Sequence, residues 1–514
     1  MLYGTNTPVG ERQRVSKVEP QNIAPIMFGL MLAMFLASLD QTIVATCLTA
    51  MANDLGGWKL LPWIISAYLI ASTAMTPIYG RLSDLYGRRN MLLVSIALFV
   101  VGSAACALAY SMESLIAARV LQGIGGGGLR SIAQIVIADI IPPRHRGRYQ
   151  GYLSTNFLVS TALGPVLGGF FAEHLSWTWA FWINLPLGAI AYVVIDRQLR
   201  KLTLPTRKAR IDWLGALFIL LSTIPLMLGI SRVEEVGGWL NASVLTPIAI
   251  GLAFTVILVL VELRTTDPMI PMHLFANRSF SLGNVAIFIP SMVMTAYIVM
   301  LPLYYQIVLK MPADVAGLHL IALTGGMATG SFICGSAISR LGRARIFPII
   351  GGLSAATLCL LIAWIGLGRF TWFDIAAIAL LGGSIGWQIN PMLVIVQNGL
   401  EIHDMGTGVG GMTFFRSLAG AFGVAVFSTF LISALTAGAI TIPGHEKLGA
   451  DPGIALMRGD ASRLFSASEA DAYRSIIENG FSSIFVLGAV LSLAAALCML
   501  FIKERPLRAG SGPM

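Results

Sequence analysis

The sequence predicts an all-α integral membrane protein with fourteen transmembrane helices, arranged as two six-helix bundles with two inserted linker helices. The first observation is composition: of 514 residues, 56% are apolar and 11% are charged, whereas soluble domains carry about 25% charged residues. The second is a series of long apolar stretches, and the third is a repeated glycine–arginine motif. So few polar residues cannot cover the chain against water, which excludes a soluble enzyme, a nucleic-acid-binding protein and a disordered scaffold.

The apolar stretches are long enough to cross a bilayer, since a helix needs about 20 mostly apolar residues to span roughly 30 Å of hydrocarbon. The fourteen predicted spans are 25–52, 61–82, 90–110, 113–138, 149–172, 178–196, 211–230, 244–262, 280–307, 315–339, 346–366, 372–399, 408–437 and 480–502. The polar N-terminal residues precede the first span without a small-residue cleavage site, so we expect an uncleaved anchor rather than a signal peptide.

The basic residues predict the orientation. When the N-terminus is placed in the cytoplasm, most of the 34 Lys and Arg residues fall on the cytoplasmic side, as the positive-inside rule requires. We therefore expect a multi-pass protein of the inner (plasma) membrane with both termini cytoplasmic. The net charge of +9 follows from these loops and does not indicate a nucleic-acid partner.

An internal repeat predicts the domain organisation. Gly80 stands seven residues before Gly87-Arg88, and Gly335 stands seven residues before Gly342-Arg343. Both motifs follow an apolar span, and matching them aligns the first span with the ninth. Parallel six-span repeats are typical of transporters. The predicted regions are an N-tail at 1–24, an N-terminal bundle at 25–200, a loop with two inserted helices at 201–279, a C-terminal bundle at 280–502 and a C-tail at 503–514.

One long polar stretch, an outer loop at 438–479, interrupts the C-terminal bundle. Ser466 and Glu469 have capping-box spacing, which predicts a short surface helix there. The loop is either solvated or a docking surface for a partner.

No cofactor or metal site is predicted. The five cysteines lie in apolar stretches without a CxxC pair, and the six histidines lack metal-ligand spacing. The segment 123–128 fits GxGxxG, but it lies inside an apolar span without a preceding strand, which favours close helix packing over dinucleotide binding. The sequence has no GxxxxGK[ST] motif, which argues against an ATP-driven motor.

Asp40 is the most deeply placed carboxylate, and Arg119 is its predicted partner. A charge at mid-membrane costs about 2.5–3.5 kcal/mol on insertion scales, so it usually faces a cavity and a partner. At 1.5 Å per residue, Asp40 lies about 22 Å from the cytoplasmic start of its span and Arg119 about 28 Å from the cytoplasmic end of the fourth span. The difference is within reach of an arginine side chain. The pair is either a structural ion pair or a functional one.

Several motifs resemble the major facilitator superfamily, and most closely its fourteen-span drug:proton antiporter branch. The matching segments are Leu39-Asp40-Gln-Thr42, Gly80 to Arg89, Arg119-Val-Leu-Gln122-Gly123, Gly164-Pro165-Val-Leu-Gly168-Gly169, and Trp177 to Gly188. Ser160 and Thr178 depart from the usual Gly and Arg of these patterns. The resemblance implies a transporter and not an enzyme: a proton-coupled exporter of lipophilic or amphipathic small molecules that works by alternating access.

The resemblance also implies partners and an energy source. We expect the proton gradient in place of a cofactor, a monomer in the lipid bilayer, and antibiotic resistance through multidrug efflux, with a periplasmic adaptor left open. The alternative is an exporter on the same fold that is dedicated to one metabolite, siderophore or lipid.

The resemblance assigns roles to three groups of residues. Asp40 would carry the proton and Arg119 would set its proton affinity, with the pair separating when the site opens outward and re-forming when it opens inward. An interbundle latch would comprise Gly80, Asp84, Gly87, Arg88, Arg89 and Asp139. Alternatively, these charged residues lie in loops at the level of the lipid headgroups and have no latch role; this alternative applies above all to Arg89. The antiporter motif would comprise Gly164, Pro165, Gly168 and Gly169, whose Gly–Pro pair predicts a kink.

The expected substrate cavity is lined by spans 1, 2, 4 and 5 and their repeat mates. Candidate lining residues are Gln41, Tyr68, Asn156, Tyr297, Tyr305, Trp387, Gln388, Asn390, Phe414 and Arg416. Aromatic and amide side chains suit amphipathic molecules. Because the second half has no carboxylate at mid-depth and carries Arg416, neutral or anionic lipophiles fit at least as well as cations.

Overall fold

The computed structural model describes residues 23–57, 60–201, 212–236, 238–311, 313–368, 371–401, 404–441, 452–457, 467–502, 504 and 507. Most of both predicted tails and much of the predicted outer loop, including Ser466, lie outside these residues. Within them the regular secondary structure is helical, without a strand.

Fourteen long helices correspond to the fourteen predicted spans. They are α1 (Ile23–Leu55), α2 (Leu61–Tyr86), α3 (Arg88–Ala107), α4 (Met112–Ile140), α5 (Pro143–His174), α6 (Asn184–Leu199), α7 (Trp213–Val236), α8 (Ala242–Glu262), α9 (Arg278–Ile307), α10 (Ala313–Leu341), α11 (Ile346–Ile365), α12 (Thr371–Gly399), α13 (Met405–Ala439) and α14 (Ala467–Leu500). Short helices cover Trp179–Trp182, His273–Ala276 and Pro452–Met457.

Thirteen helices of the described chain are long and apolar enough to cross a membrane, counting Trp179–Leu199 as one. The remaining long helix is α4, whose interior holds Arg119, Gln122 and four consecutive glycines. These residues lower its hydropathy, yet they are buried against other helices rather than exposed to lipid.

The last helix differs most from its predicted bounds. α14 begins at Ala467, whereas the predicted span begins at residue 480. The extension has two faces: Tyr473 and Ile477 are buried against the bundle, while Arg474 and Glu478 pair on the exposed side at 3.1 Å. An amphipathic segment of this kind has low mean hydropathy, which is why the hydropathy pattern predicts a loop there.

Helices α1–α6 pack into one bundle and α9–α14 into a second. Small residues allow this packing, as is usual between membrane helices. A β-carbon added to Gly125 of α4 would lie 2.7 Å from the Ser95 carbonyl oxygen of α3, so these two backbones are nearly in contact.

The two bundles meet along two seams, α2 against α13 and α5 against α10. The inserted helices α7 and α8 pack against each other, and α7 contacts both α2 and α13. We name the end at which the α2–α3 and α10–α11 turns lie the inner end, because the charge distribution predicts that it faces the cytoplasm. The opposite end is the outer end.

Candidate functional site

Asp40 lies on α1 with its side chain fully buried inside the N-terminal bundle. Arg119 on α4 donates to Asp40 Oδ2 at 2.6 Å. Gln122 Nε2 and Asn184 Nδ2 donate to Asp40 Oδ1 at 2.7 and 2.8 Å. Ser103 Oγ on α3 accepts from both amides, at 2.6 and 3.1 Å. Both carboxylate oxygens are therefore hydrogen-bonded, as a buried charge requires.

Arg119 is fixed by a second set of contacts. Its Nε donates to the Ile64 carbonyl at 3.1 Å, and its NH1 also donates to Gln122 Oε1 at 2.6 Å. The guanidinium carbon lies 4.4 Å from the ring centroid of Tyr68 and 5.8 Å from that of Phe181. Such cation–π contacts stabilise a desolvated guanidinium. Tyr68, a predicted cavity residue, therefore belongs to the charged site.

The sequence pattern did not predict that Asn184 and Gln122 donate hydrogen bonds to Asp40. Asn184 begins α6, directly after Ile183 separates that helix from Trp179–Trp182, and it stands 144 residues from Asp40. Asn184 lies within the matching segment Trp177 to Gly188, but nothing in that segment indicates a contact with α1. Gln122 did carry a signal, because it follows Arg119 by three residues and so shares its helix face.

The position of Asp40 differs from the expected one in two ways. Its carboxylate is enclosed by α1, α3, α4 and α6, so it faces the interior of the N-terminal bundle rather than a cavity between bundles. The inner ends of the bundles are also in contact, and the Asp40–Arg119 pair is intact. In the expected cycle the pair re-forms when the site opens inward, and that cycle stays a prediction. Gln122 and Asn184 hold the carboxylate away from the space between bundles, so opening that space need not separate the pair.

At the inner end, one buried arginine joins two acids. Arg88 NH1 lies 2.5 Å from Asp84 Oδ1, and Arg88 Nε donates to Asp139 Oδ2 at 2.9 Å. Arg88 also donates to Ser83 Oγ at 2.8 Å. Gly87 has a φ of 88°, which permits the abrupt turn from α2 into α3. The structure thus brings together Asp84, Arg88 and Asp139.

The Asp84 carboxylate also contacts the other bundle. A β-carbon added to Gly406 would collide with it, so the carboxylate rests on the first turn of α13. The N-terminus of a helix carries partial positive charge, which favours an acid there. A β-carbon on Gly80 would lie 2.8 Å from the Gly406 carbonyl oxygen and 3.2 Å from Gly410 Cα. Close backbone contact and one buried acid therefore hold α2 against α13.

Arg89 does not take part in this interbundle contact. It pairs with Asp196 on α6, which also pairs with Arg200 at 2.9 Å. Because α3 and α6 belong to the same bundle, Arg89 joins helices within that bundle. Its expected place in the latch is corrected accordingly.

Among the described residues, the second seam, α5 against α10, is held by glycine contacts, with no ion pair across it. A β-carbon on Gly147 would lie 2.9 Å from Gly335 Cα. Arg144 Nε donates to the Ser339 carbonyl at 3.0 Å. Ser339 occupies in the second repeat the place of Asp84, so the two seams are related in backbone geometry and differ in charge.

The Gly164–Gly169 segment packs α5 against α1, within the N-terminal bundle. β-Carbons on Gly164 and Gly168 would collide with Thr42 Oγ1 and Thr46 Oγ1, whereas one on Gly169 would meet nothing within 4 Å. Pro165 lies inside α5 and is exposed. The close approach predicted for this motif is thus carried by Gly164 and Gly168, and Gly169 has no part in it.

Two tyrosines expected in the cavity are buried in the C-terminal bundle instead. Tyr297 Oη lies 3.2 Å from Cys359 Sγ, and its ring stacks on Phe485 at 5.3 Å between centroids. Tyr305 is fully buried, with its ring 4.4 Å from that of His319 on α10. The expectation fails because α9 turns these side chains towards its neighbours in the same bundle.

The predicted residues of α12 face three different ways. Trp387 packs edge-to-face on Phe347 of α11 at 5.8 Å. Gln388 is buried and donates to a main-chain carbonyl of α11 at 3.4 Å. Asn390 donates to Ser154 Oγ of α5 at 3.2 Å, across the bundle interface. Trp387 and Gln388 are therefore packing residues, whereas Asn390 joins the bundles.

The remaining predicted cavity residues are Asn156, Gln41, Phe414 and Arg416. Asn156 donates to the Met31 carbonyl at 2.8 Å and so fastens α5 to α1. Gln41, Phe414 and Arg416 remain partly exposed at mid-helix positions. Trp387 is partly exposed as well, whereas the other predicted cavity residues are buried.

Comparison with known proteins agrees with this architecture. The model of the Major Facilitator Superfamily matches residues 30–424. Multidrug resistance protein 3 of Bacillus subtilis is 30% identical over 493 residues, which cover 93% of this chain and 95% of that protein. Efflux pump dotC of Dothistroma septosporum is 32% identical over 507 residues, which cover 94% of this chain and 84% of that protein.

Solved structures show the same fold at lower identity. The human organic anion transporter MFSD10 superposes with a TM-score of 0.61 at 17% identity, covering 94% of this chain and all of that one. The proton:xylose symporter XylE superposes with a TM-score of 0.59 at 15% identity, covering 95% and 98%. The predicted fold class is confirmed. The chain belongs to the Major Facilitator Superfamily, as a multi-pass membrane transporter and not an enzyme.

Proposed function

We propose that the protein is a proton-coupled exporter of lipophilic or amphipathic small molecules, a multidrug-efflux antiporter that works by alternating access. The names of the relatives, a multidrug resistance protein and an efflux pump, support export. The observation that carries proton coupling is the buried Asp40–Arg119 pair. In the described part of the chain, the other ion pairs lie at helix ends.

The hydrogen bonds around Asp40 supply a coupling step. Three donors complement a negative carboxylate, so a proton on Asp40 must displace at least one of them. Arg119 and Asn184 belong to α4 and α6, and releasing them alters how α1 packs in its bundle. A group couples a gradient to transport only if its proton affinity differs between the two conformations. We therefore place separation of the pair after protonation rather than at the opening of the cavity.

The latch at the inner end supplies the conformational control. Asp84 on the first turn of α13 favours the state that is closed at this end, with a charge–dipole contribution of about 0.3–1 kcal/mol. A contribution of this size biases the equilibrium without preventing thermal opening. Exchange between closed and open inner ends is the motion that alternating access requires.

The same proposal includes the membrane, the orientation and the energy source of the protein. The inner end and both termini face the cytoplasm, the membrane is the plasma membrane, and the proton gradient is the sole energy source. The chain acts as a monomer, and its cellular phenotype is resistance to antibiotics. Transport by the purified chain in liposomes would show that no periplasmic adaptor is needed for the transport step itself.

The test is dye efflux from proteoliposomes holding the purified protein, with and without a protonophore. The panel contains cationic, neutral and anionic fluorescent amphiphiles. We expect gradient-dependent export of several panel members, and export that persists after the gradient is collapsed would refute antiport. Gradient-dependent export of a single member would instead support the exporter dedicated to one metabolite, siderophore or lipid.

A further inference from the structure

Two arginines lie at similar depth on α4 and α13, two contacting helices of opposite bundles. Arg130 on α4 stands ten residues from the inner end of its helix at Ile140, and Arg416 on α13 stands eleven from its start at Met405. At 1.5 Å per residue both lie about 15–17 Å from the inner end. Helices α4 and α13 pack against each other across the bundle interface, and both arginines are partly exposed, so we infer that both guanidinium groups border the space between the bundles.

Neither arginine has a counter-ion in the part of the chain that the structure describes. Arg130 donates to Gln41 Oε1 at 3.0 Å, which is a neutral acceptor. The nearest acid along α1 is Asp40, and its two oxygens are already occupied by Arg119 and two amides. The opposite charges of Asp40 and Arg119 neutralise each other, so the positive charges of Arg130 and Arg416 remain uncompensated.

An arrangement of this kind is unfavourable unless something negative binds to it. A cation in the bilayer interior is costly even when isolated, and an intramembrane charge normally has a partner. Both guanidinium groups lie too deep to reach the headgroups. Packing of α4 against α13 does not require an arginine at either position, nor two arginines at similar depth. A planar guanidinium is well matched to carboxylate, sulfonate and phosphate groups, which it binds through paired N–H donors.

The neighbouring side chains suit an apolar body attached to that anionic group. Phe414 precedes Arg416 by two residues, is partly exposed, and lies against Phe415 with ring centroids 5.4 Å apart. Aromatic faces hold flat apolar molecules by stacking and burial. Phe414, Phe415 and Arg416 are consecutive on α13, so aromatic surface lies beside the positive charge.

We propose that the transported substrates are amphipathic anions, whose negatively charged group is held between Arg130 and Arg416. This inference rests on the proposed export function and names its substrate class. An anion bound between the two arginines replaces repulsion between the bundles with attraction to a shared ligand. The loaded carrier then closes around its substrate more readily than the empty one.

The test compares two dyes that share a xanthene ring system: fluorescein, an anion at neutral pH, and rhodamine 123, a cation. Binding to the purified full chain in phosphatidylcholine nanodiscs is measured by fluorescence anisotropy without a proton gradient. We expect Arg130→Gln and Arg416→Gln each to weaken fluorescein binding tenfold or more, as for loss of a charge-assisted hydrogen bond. Rhodamine 123 binding should not weaken in either variant.

The controls separate charge recognition from loss of structure. Arg200→Gln, whose side chain is 69% exposed at the inner end, should bind fluorescein like the wild type. Arg416→Lys keeps the charge and should bind fluorescein more tightly than Arg416→Gln. Unchanged fluorescein binding in both glutamine variants, or an equal loss of both dyes, would overturn the inference. Because no gradient is present, a failure of proton coupling leaves this result intact and is detected separately by the efflux assay.

Discussion

Asn184 Nδ2 donates to Asp40 Oδ1 at 2.8 Å, so the first residue of α6 directly contacts the acid at the middle of α1. The amide also donates to Ser103 Oγ on α3. Three helices therefore depend on one asparagine for the geometry around the buried carboxylate. A residue in this place positions Asp40 and does not itself carry the proton.

Replacing Asn184 by alanine should damage coupling more than substrate exchange. A hydrogen bond to a charged group contributes about 1.5–3 kcal/mol, so we expect proton-driven efflux to fall about tenfold or more, with gradient-free substrate exchange retained. Asn156→Ala is a matched control, because that amide is also buried but bonds only to a neutral carbonyl. Equal losses in both assays for Asn184→Ala would reduce the residue to a packing role.

Asp40→Asn should abolish gradient-driven efflux and retain substrate binding. The amide oxygen can still accept from Arg119, whereas the NH2 group cannot accept from Gln122 and Asn184, and the amide cannot take up a proton at neutral pH. Proton release on substrate addition to purified protein is the direct measurement. Asp54→Asn is the control, since Asp54 lies near the outer end of the same helix and accepts from Trp177 Nε1 at 2.8 Å. If Asp40→Asn released as many protons as the wild type, the proton carrier would lie elsewhere.

Asp84→Asn should slow transport without preventing insertion. The substitution removes the negative charge from the first turn of α13 and from Arg88, so the closed inner end loses about 1 kcal/mol or more of stabilisation. Efflux rate and size-exclusion profile are the measurements. Asp196→Asn provides the comparison, because that acid pairs with Arg89 at the same end but within one bundle. Equal effects from the two variants would contradict an interbundle role for Asp84.

Gly164→Leu should block efflux at normal expression, whereas Gly169→Leu should be nearly neutral. A side chain at 164 collides with Thr42 on α1, and one at 169 enters open space. Overpacking of a tight contact costs about 1–3 kcal/mol, so the thermal unfolding midpoint of Gly164→Leu should also fall. Similar efflux from the two variants would mean that the α1–α5 contact does not control transport.

The helices and the central ion pair were predictable because their signals are local or follow from simple geometry. Long apolar stretches identify spans wherever the bilayer replaces water. The depth of Asp40 and Arg119 follows from a constant rise per residue. The amphipathic start of α14 was missed for the same reason, since its exposed polar face hides a helix from a hydropathy criterion.

The sequence did not predict which side of each helix packs against other helices and which side borders the space between the bundles. In a soluble protein the apolar stripe marks the buried face, but lipid and protein interior are equally apolar, so Tyr297 and Gln388 carry no such mark. Their side chains turned out to pack within the C-terminal bundle. The contact of Asn184 with Asp40 likewise depends on how α6 rotates against α1, which no local pattern records.

The inserted helices have a consequence for how a lipid-soluble compound reaches the carrier. α7 and α8 pack on α2 through a cluster that contains Ile78, Ile219 and Leu258, and on α13 through Ile230 and Ala425. They therefore screen the α2–α13 seam from the hydrocarbon, whereas none of the described helices covers the seam between α5 and α10. Among the described helices, the seam between α5 and α10 is therefore the one that a molecule dissolved in the bilayer meets from the side.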